Sequence, residues 1–270
     1  MTQLANFGMP TLIELKTPES NAALCRELGL AFVELSMDMP EYQEEKIDVV
    51  ELRRISMQYG IYYTIHLEGF LDPCIFNKRV ATAYTETALH IIEKAKWLNI
   101  PVLNMRMNKG DHFTLPDRKV SLYSEYKSEY LQKLAAFRDS CTMAIGDADI
   151  KICVENCGTY EQCDFMVEGL DVLLESPAFA LPFDIGHNAG AGFSDEPIIM
   201  ERIEKLRHLH IHDAIGRNNH LPLGEGELEL MKYLALAEEH NCRAVLEVKT
   251  VRGLRQSVNW LREKGSSYAG

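Results

Sequence analysis

No stretch of about 18 uninterrupted apolar residues occurs in this sequence, which argues against a membrane-spanning helix. The opening MTQLANFGMP also lacks a basic segment followed by a long apolar one, so an untargeted, cytoplasmic protein is expected. Paired CxxC spacing is missing: the seven cysteines, an odd number, are scattered at 25, 74, 141, 153, 157, 163 and 242. That pattern fits reduced thiols better than a disulfide framework or a zinc knot. Nor is there a basic stripe. Lys and Arg total 28 against 40 Asp and Glu, giving a net charge of −12, and they are dispersed. A protein that grips nucleic acid must neutralise phosphates, so neither nucleic acid nor an anionic membrane is expected as a partner. No low-complexity linker divides the chain, and one domain over residues 1–270 is expected.

What is present is an alternation of short apolar runs with longer amphipathic segments, and it comes to eight units. Strands are predicted at 3–8, 32–37, 62–67, 102–107, 152–156, 180–185, 209–213 and 244–248. Between them, segments such as NAALCREL, DVVELRRISMQYG, ATAYTETALHIIEKAKWL, EYLQKLAAFRDSCTMAI and LMKYLALAEEH have helical spacing. Thr17 and Pro18 stand ahead of the first helix, and Gly29, Gly60 and Asn99 follow the first three. Eight βα units predict an α/β fold, a (β/α)8 TIM barrel, which at about 250 residues uses nearly the whole chain. A doubly wound open sheet would gather its ligands at one crevice instead.

Four of the predicted strands, KICVEN, ALPFDIGH, HLHIHD and AVLEVK, carry an acid or an imidazole at the end: Glu155, Asp184, His210 and Glu247. Strand ends are where parallel barrels place their chemistry. Alternation then sorts the faces. His208, His210 and His212 share one side of the seventh strand, and Val245, Glu247 and Lys249 one side of the eighth, with the apolar set facing the helices. The same parity joins Tyr62, Thr64, His66 and Glu68, and Phe32, Glu34 and Ser36, so His66 and Glu34 become candidate lumen residues. Buried carboxylates are costly unless paired or metal-bound. Two glutamates, an aspartate and a histidine suit one divalent cation, Mn²⁺, Mg²⁺, Co²⁺ or Zn²⁺, without choosing among them.

FDIGH with Asp184 and His187, VEN with Glu155, the run HLHIHDAIGRNNHLPLGEGELEL and LEVK with Glu247 resemble the xylose isomerase-like TIM-barrel superfamily, and its D-tagatose 3-epimerase branch in particular. The resemblance runs from the IHLEG segment to the last strand. That superfamily holds sugar and sugar-phosphate isomerases and epimerases, inosose dehydratases and the endonuclease IV branch of DNA repair enzymes. The resemblance implies a metal site of Glu155, Asp184, His210 and Glu247, with Glu155 and Glu247 also the catalytic acid/base pair. It makes His187 a substrate contact. His66, His187 and His220 match positions that hold extra zinc ions in the repair branch. That branch has a histidine after the fourth strand, where this chain offers Arg106 or Asn108, and an aspartate where this chain has Asn218. One complete metal site remains.

Such a site suits a small sugar, ketose or sugar phosphate: the cation polarises a carbonyl and its neighbouring hydroxyl, one glutamate removes the proton between them, and the enediolate is reprotonated. His66, His187, Arg217 and His220 are the expected substrate-binding residues. Dehydration of an inosose-type substrate, endonuclease chemistry and non-catalytic sugar binding are the alternatives, and homo-oligomerisation is left open. The PLGEGEL glycines are read as loop geometry rather than a phosphate cradle. His212 is read equally as a pocket residue or a rim hydrogen bonder, Lys249 as a neutraliser of the carboxylates or a phosphate contact, His90 as helical, His112 as loop, and Trp97 and Trp260 as packing on the outer helices.

Overall fold

The computed structural model describes residues 4–158 and 160–265. Eight parallel strands, β1 (Leu4–Pro10), β2 (Leu30–Ser36), β3 (Tyr62–His66), β4 (Val102–Arg106), β5 (Lys151–Glu155), β6 (Phe179–Asp184), β7 (Leu206–Ile211) and β8 (Arg243–Leu246), close into a barrel in chain order, with β8 returning to β1. All eight predicted strands are found; the first residue of the first, Gln3, lies outside the described residues.

The helices between the strands start and stop where the chemistry of their ends dictates. Thr17 accepts from the backbone of Ser20 at 3.1 Å, with Pro18 at the first helical position, so its helix (Pro18–Glu27) opens with a capping box. Asp48 and Asn77 cap the next two, Val49–Tyr59 and Lys78–Leu98. Gly60 and Asn99 end those helices in the left-handed conformation, which carries the chain into the following strand. Between β6 and β7 the helices are short, Ile185–Gly190, Asp195–Met200 and a 3-10 turn at Ile203–Lys205.

Strand alternation divides two environments. Val33, Leu35, Tyr63, Ile65, Leu209, Ile211, Ala244 and Leu246 join the main core between barrel and helices. Their neighbours turn into the lumen. Phe32, Tyr62 and Val245 pack together in its lower part, Phe32 stacking on Tyr62 with centroids 5.0 Å apart, and Val102, Cys153 and Ala180 form a second small cluster. Two residues further along β2, β3, β4, β5 and β8, and four further along β6, the lumen becomes polar.

All seven cysteines are free. Among the described residues no helix is long and apolar enough to cross a membrane. Two readings change. His112 belongs to a short hairpin, His112–Thr114 with Lys119–Ser121, rather than to an irregular loop. Trp97 is 67% exposed and packs little, because it lies on the outward side of its helix, whereas Trp260 is partly buried against the core.

The lumen floor leaves little room beside β1. A Cβ on Gly8 would stand 2.4 Å from the ring of Phe32, which is itself fully buried. Gly8→Ala is therefore expected to lower the unfolding free energy by about 1–3 kcal/mol, measured by urea denaturation. Unchanged stability would mean that the Phe32 and Tyr62 rings can slide.

Candidate functional site

Strand pairing sets the polar residues side by side. Ser36 lies beside His66, His66 beside Asn104, Arg106 beside Glu155, and Asp184 beside His210. Glu155 and Asp184 close their strands, and Glu247 follows directly on β8. One ligand atom from each of Glu155, Asp184, His210 and Glu247 falls within 4.8 Å of the others. His210 is at the centre: its Nδ1 lies 2.7 Å from Glu155 Oε1, 3.3 Å from Glu247 Oε2 and 3.7 Å from Asp184 Oδ2. All four residues are buried.

Burial alone would push these carboxyls towards the neutral form, but the surrounding cations win. The hydrogen bond from His210, the close approach of His66 and the charge of Arg106 hold Glu155 well below the usual carboxylate range. His210 and Lys249 do the same for Glu247, and His187 and His212 for Asp184. In return, the charges of Glu34 and Glu247 hold His210 well above the ordinary imidazole value against its burial. Each glutamate divides its two oxygens in the same way. Glu155 turns Oε1 to His210 and Oε2 to Arg106 Nε at 2.6 Å. Glu247 turns Oε2 towards His210 and Oε1 to Lys249 Nζ at 2.6 Å.

The four candidate contact residues fare differently. His66 donates from Nδ1 to the carbonyl of Leu67 at 2.8 Å, and its Nε2 lies 3.6 Å from Glu155 Oε2, without a hydrogen-bond partner. His187 has Nδ1 3.3 Å from Asp184 Oδ2, and His220 has Nε2 3.7 Å from Glu247 Oε1. Arg217 is not brought to the cluster: it stands exposed between two strands of a small hairpin, Asp213–Ile215 and Asn218–Leu221. His212 faces inward. Its Nδ1 accepts from the backbone of His220 at 2.8 Å, so Nε2 is free to donate to Asp184 Oδ1 at 3.1 Å.

Where the strand ladder ends, buried side chains take over its hydrogen bonds. Asn156 accepts from the Asp184 backbone N–H at 2.8 Å and donates to the Asp184 carbonyl at 2.9 Å. Asp195 Oδ2 then accepts from Gly158 at 2.8 Å and from Asn156 at 3.3 Å. On the other side Asp213 accepts from the backbones of Ala214, Gly224 and Leu228 at 2.9–3.1 Å. A Cβ on Gly226 would stand 2.2 Å from Asp213 Oδ1, so the PLGEGEL glycines serve this anchored loop.

A cavity of about 100 Å³ reaches the cluster from the barrel mouth, lined by Thr11, Ser36, Asp38, His66, Arg106, Glu247 and Lys249 among others. A larger cavity, about 390 Å³ and mostly apolar, lies at Leu4, Phe7, Leu234 and Leu261, away from this chemistry. Sequence reading passed over Asn104 and His208 as site residues and took Arg106 only as a departure from a histidine. Strand parity, which places Val102, Asn104 and Arg106 on one face, was the available signal.

The donor set fits a divalent cation. Three buried carboxylates converge on one imidazole, and Glu247 Oε2 is buried without a hydrogen-bond partner, an arrangement that a cation among them would complete.

An eight-stranded parallel barrel with an acid and imidazole cluster at the C-terminal ends of its strands is a TIM barrel with its polar centre where such barrels work. More particularly, residues 22–264 match the model of the xylose isomerase-like TIM barrel family, and the chain belongs to that family. An uncharacterized protein of Methanocaldococcus jannaschii, MJ1188, is 23% identical over 223 residues, covering 77% of this chain and 74% of the relative. The fold is similar to that of a D-tagatose 3-epimerase-like protein (TM-score 0.78, 23% identity, 96% of each chain covered). It is also similar to that of a D-psicose 3-epimerase from Clostridium cellulolyticum H10 solved with D-tagatose (0.71, 10%, 96% of this chain and 98% of that one). A third similar structure is the IOLI protein with a bound zinc atom (0.66, 14%, 97% of each chain).

The Asn156 clamp gives a direct expectation. Asn156→Ala leaves the Asp184 N–H and C=O without their partners, so the unfolding free energy should fall by about 2–4 kcal/mol in urea titrations. Wild-type stability would show that those two groups are not held by this side chain.

Proposed function

We propose that this chain is a divalent-cation-dependent epimerase or isomerase of a small ketose-type sugar or sugar phosphate. The observation that carries the reading is the convergence of Glu155, Asp184, His210 and Glu247 from four strand ends. Family membership and the fold shared with sugar epimerases support it.

These four residues would hold the cation, which when bound polarises a carbonyl and its neighbouring hydroxyl and makes the C–H between them more acidic. The remaining chemistry belongs to side chains. Glu155 and Glu247 come from β5 and β8 with two strands between them, so they can address a substrate from two directions. Their inner oxygens face His210, which leaves Glu155 Oε2 and Glu247 Oε1 as the proton-transfer atoms. Arg106 and Lys249 keep those oxygens ionised, so that they are free of a proton when substrate arrives, and their displacement by substrate would raise the basicity of the carboxylates. Removal of a proton by one glutamate and return by the other inverts a carbon, whereas return to the adjacent carbon isomerises. His66 at the cavity wall, and His187 and His220, can orient hydroxyls. Arg217 would have to swing in from the hairpin to join them.

A single cation is favoured over a multinuclear, nuclease-like centre. Arg106 Nε already occupies Glu155 Oε2, the oxygen that a second ion sharing Glu155 would need.

Cation uptake is the first check. Chelator-treated protein should bind one equivalent of Mn²⁺ per chain by calorimetry, and at 100 times the dissociation constant the ion should add about 2.7 kcal/mol of stability. Asp184→Asn should abolish that gain; two or three tight equivalents would contradict a mononuclear centre.

Turnover is the second. A panel of ketoses, ketose phosphates and 3-keto sugars, followed by NMR in D₂O, should reveal a substrate that takes up solvent deuterium at one carbon. Glu155→Gln and Glu247→Gln should each slow it by roughly 10²- to 10⁴-fold at saturating cation. Full turnover in both variants with cation bound would remove them as the proton-transfer pair, and a product lighter by one water would point to dehydration.

A further inference from the structure

Glu34 lies in the middle of the lumen, below the four-residue cluster, and is almost completely buried. A carboxylate there is costly unless it is fully bonded. Its partners divide unevenly. Thr64 Oγ1 donates to Oε2 at 3.1 Å, Asn104 Nδ2 donates to the same oxygen at 2.5 Å, and His208 Nε2 lies 3.2 Å from it. Oε1 faces His210 Nε2 at 2.9 Å. The Asn104 amide is oriented by this arrangement, since turning it over would set its oxygen 2.5 Å from a carboxylate oxygen. Asn104 Nδ2 also stands 3.2 Å from His210 Nε2; if Nε2 gives its hydrogen to Glu34 Oε1, both nitrogens are donors and Asn104 flanks the ring rather than bonding it.

An imidazole with one nitrogen committed to a carboxylate has its other nitrogen defined. With Nε2–H given to Glu34, the cation would take the place of the Nδ1 proton of His210 and meet a lone pair aimed between Glu155, Asp184 and Glu247. With the opposite tautomer, the Nε2 lone pair would face Glu34 Oε1 and the Nδ1 proton would face the ion. We propose that Glu34 is a positioning residue for the metal centre: through the Nε2–H of His210 it fixes the ring and selects Nδ1 as the ligand atom. The inference rests on the cation site proposed above. The shorter contacts, from Asn104 at 2.5 Å and His210 at 2.9 Å, hold the carboxylate, with Thr64 and His208 beside it at 3.1 and 3.2 Å, and the sequence brings all of them to the lumen by strand alternation. Outer partners of this kind typically change metal affinity by roughly 10- to 100-fold.

The test compares the full-length wild type with Glu34→Gln, Glu34→Asp and Thr64→Val, each freed of cation by chelation. Three readouts are taken: Mn²⁺ affinity by calorimetry, the visible absorption of the Co²⁺ form, and cation-free melting. Glu34→Gln should bind Mn²⁺ roughly 10- to 100-fold more weakly and shift the Co²⁺ bands. Glu34→Asp keeps the charge but retracts it by one methylene, and should fall between it and the wild type. Thr64→Val removes one donor to Glu34 without touching His210, so its affinity should stay near wild type even where cation-free melting is lower. Wild-type affinity in Glu34→Gln overturns the proposal. An equal loss in Thr64→Val also overturns it, because affinity would then follow lumen stability. If Glu34→Gln does not fold, Glu34→Asp decides: weakened binding supports the role and unchanged binding overturns it. A wild-type chain that takes up no cation overturns the underlying site, an outcome distinct from all of these.

Discussion

Four acids buried in one barrel lumen are the constraint on which the rest of this structure depends. Glu34, Glu155, Asp184 and Glu247 lie almost wholly out of water, where an unpaired charge is strongly unfavourable. The lumen answers with graded chemistry along every strand. Phe32, Tyr62, Val102, Cys153, Ala180 and Val245 form apolar lower layers. Glu34, Thr64, Asn104 and His208 stand above them, and Ser36, His66, Arg106, Glu155, Asp184, His210 and Glu247 reach the mouth. The steps upward are even numbers of residues along a strand, two in most and four from Ala180 to Asp184, so one alternation builds both the packed floor and the charged rim. His210 joins the upper two layers, with Glu34 on one nitrogen and the outer acids around the other.

Much of this could be read from the sequence because alternation along a strand is local. His210 and Glu247 could be placed on the lumen face from their apolar neighbours alone, and Thr17, Gly60 and Asn99 marked helix ends because capping is local chemistry as well. Which residues meet across the barrel could not be read in the same way. Strand stagger brings Arg106 beside Glu155 and His66 above it, and no local pattern encodes that stagger. Arg106 therefore looked like a substitution for a histidine, although it is the partner of a buried glutamate. Arg217 was hard to place for a different reason: it lies on a hairpin whose tip is fixed by solvent-exposed turns, not by the lumen. Trp97 showed that helical spacing assigns a residue to a helix without deciding which side is covered.

Precision at the cluster comes from how the strands end. A strand that stops leaves backbone groups without ladder partners, and in the interior these must be satisfied. Asn156 serves the backbone of Asp184, Asp195 steadies Asn156, and Asp213 gathers three N–H groups from the loop after β7. The glycines in these segments follow from the crowding. A Cβ on Gly186 would stand 1.8 Å from the His212 ring, which itself bonds Asp184. Small residues and buried amides at the mouth are thus part of the support for the acids rather than neutral spacers.

The two glutamates show how charge compensation in the lumen bears on the proton transfer proposed for them. Each has one oxygen directed inward to the imidazole and one outward to a basic side chain, Arg106 for Glu155 and Lys249 for Glu247. The inner oxygens answer the electrostatic demand of the lumen. The outer ones lie towards the cavity, held ionised by neighbours on the rim that are only partly buried. Under the proposed function, a substrate entering there would meet carboxylates already ionised, and its hydroxyl groups could compete with Arg106 and Lys249 for them. Charge compensation and the proposed reactivity would therefore draw on the same pairs, and both basic residues belong to the support of the buried acids.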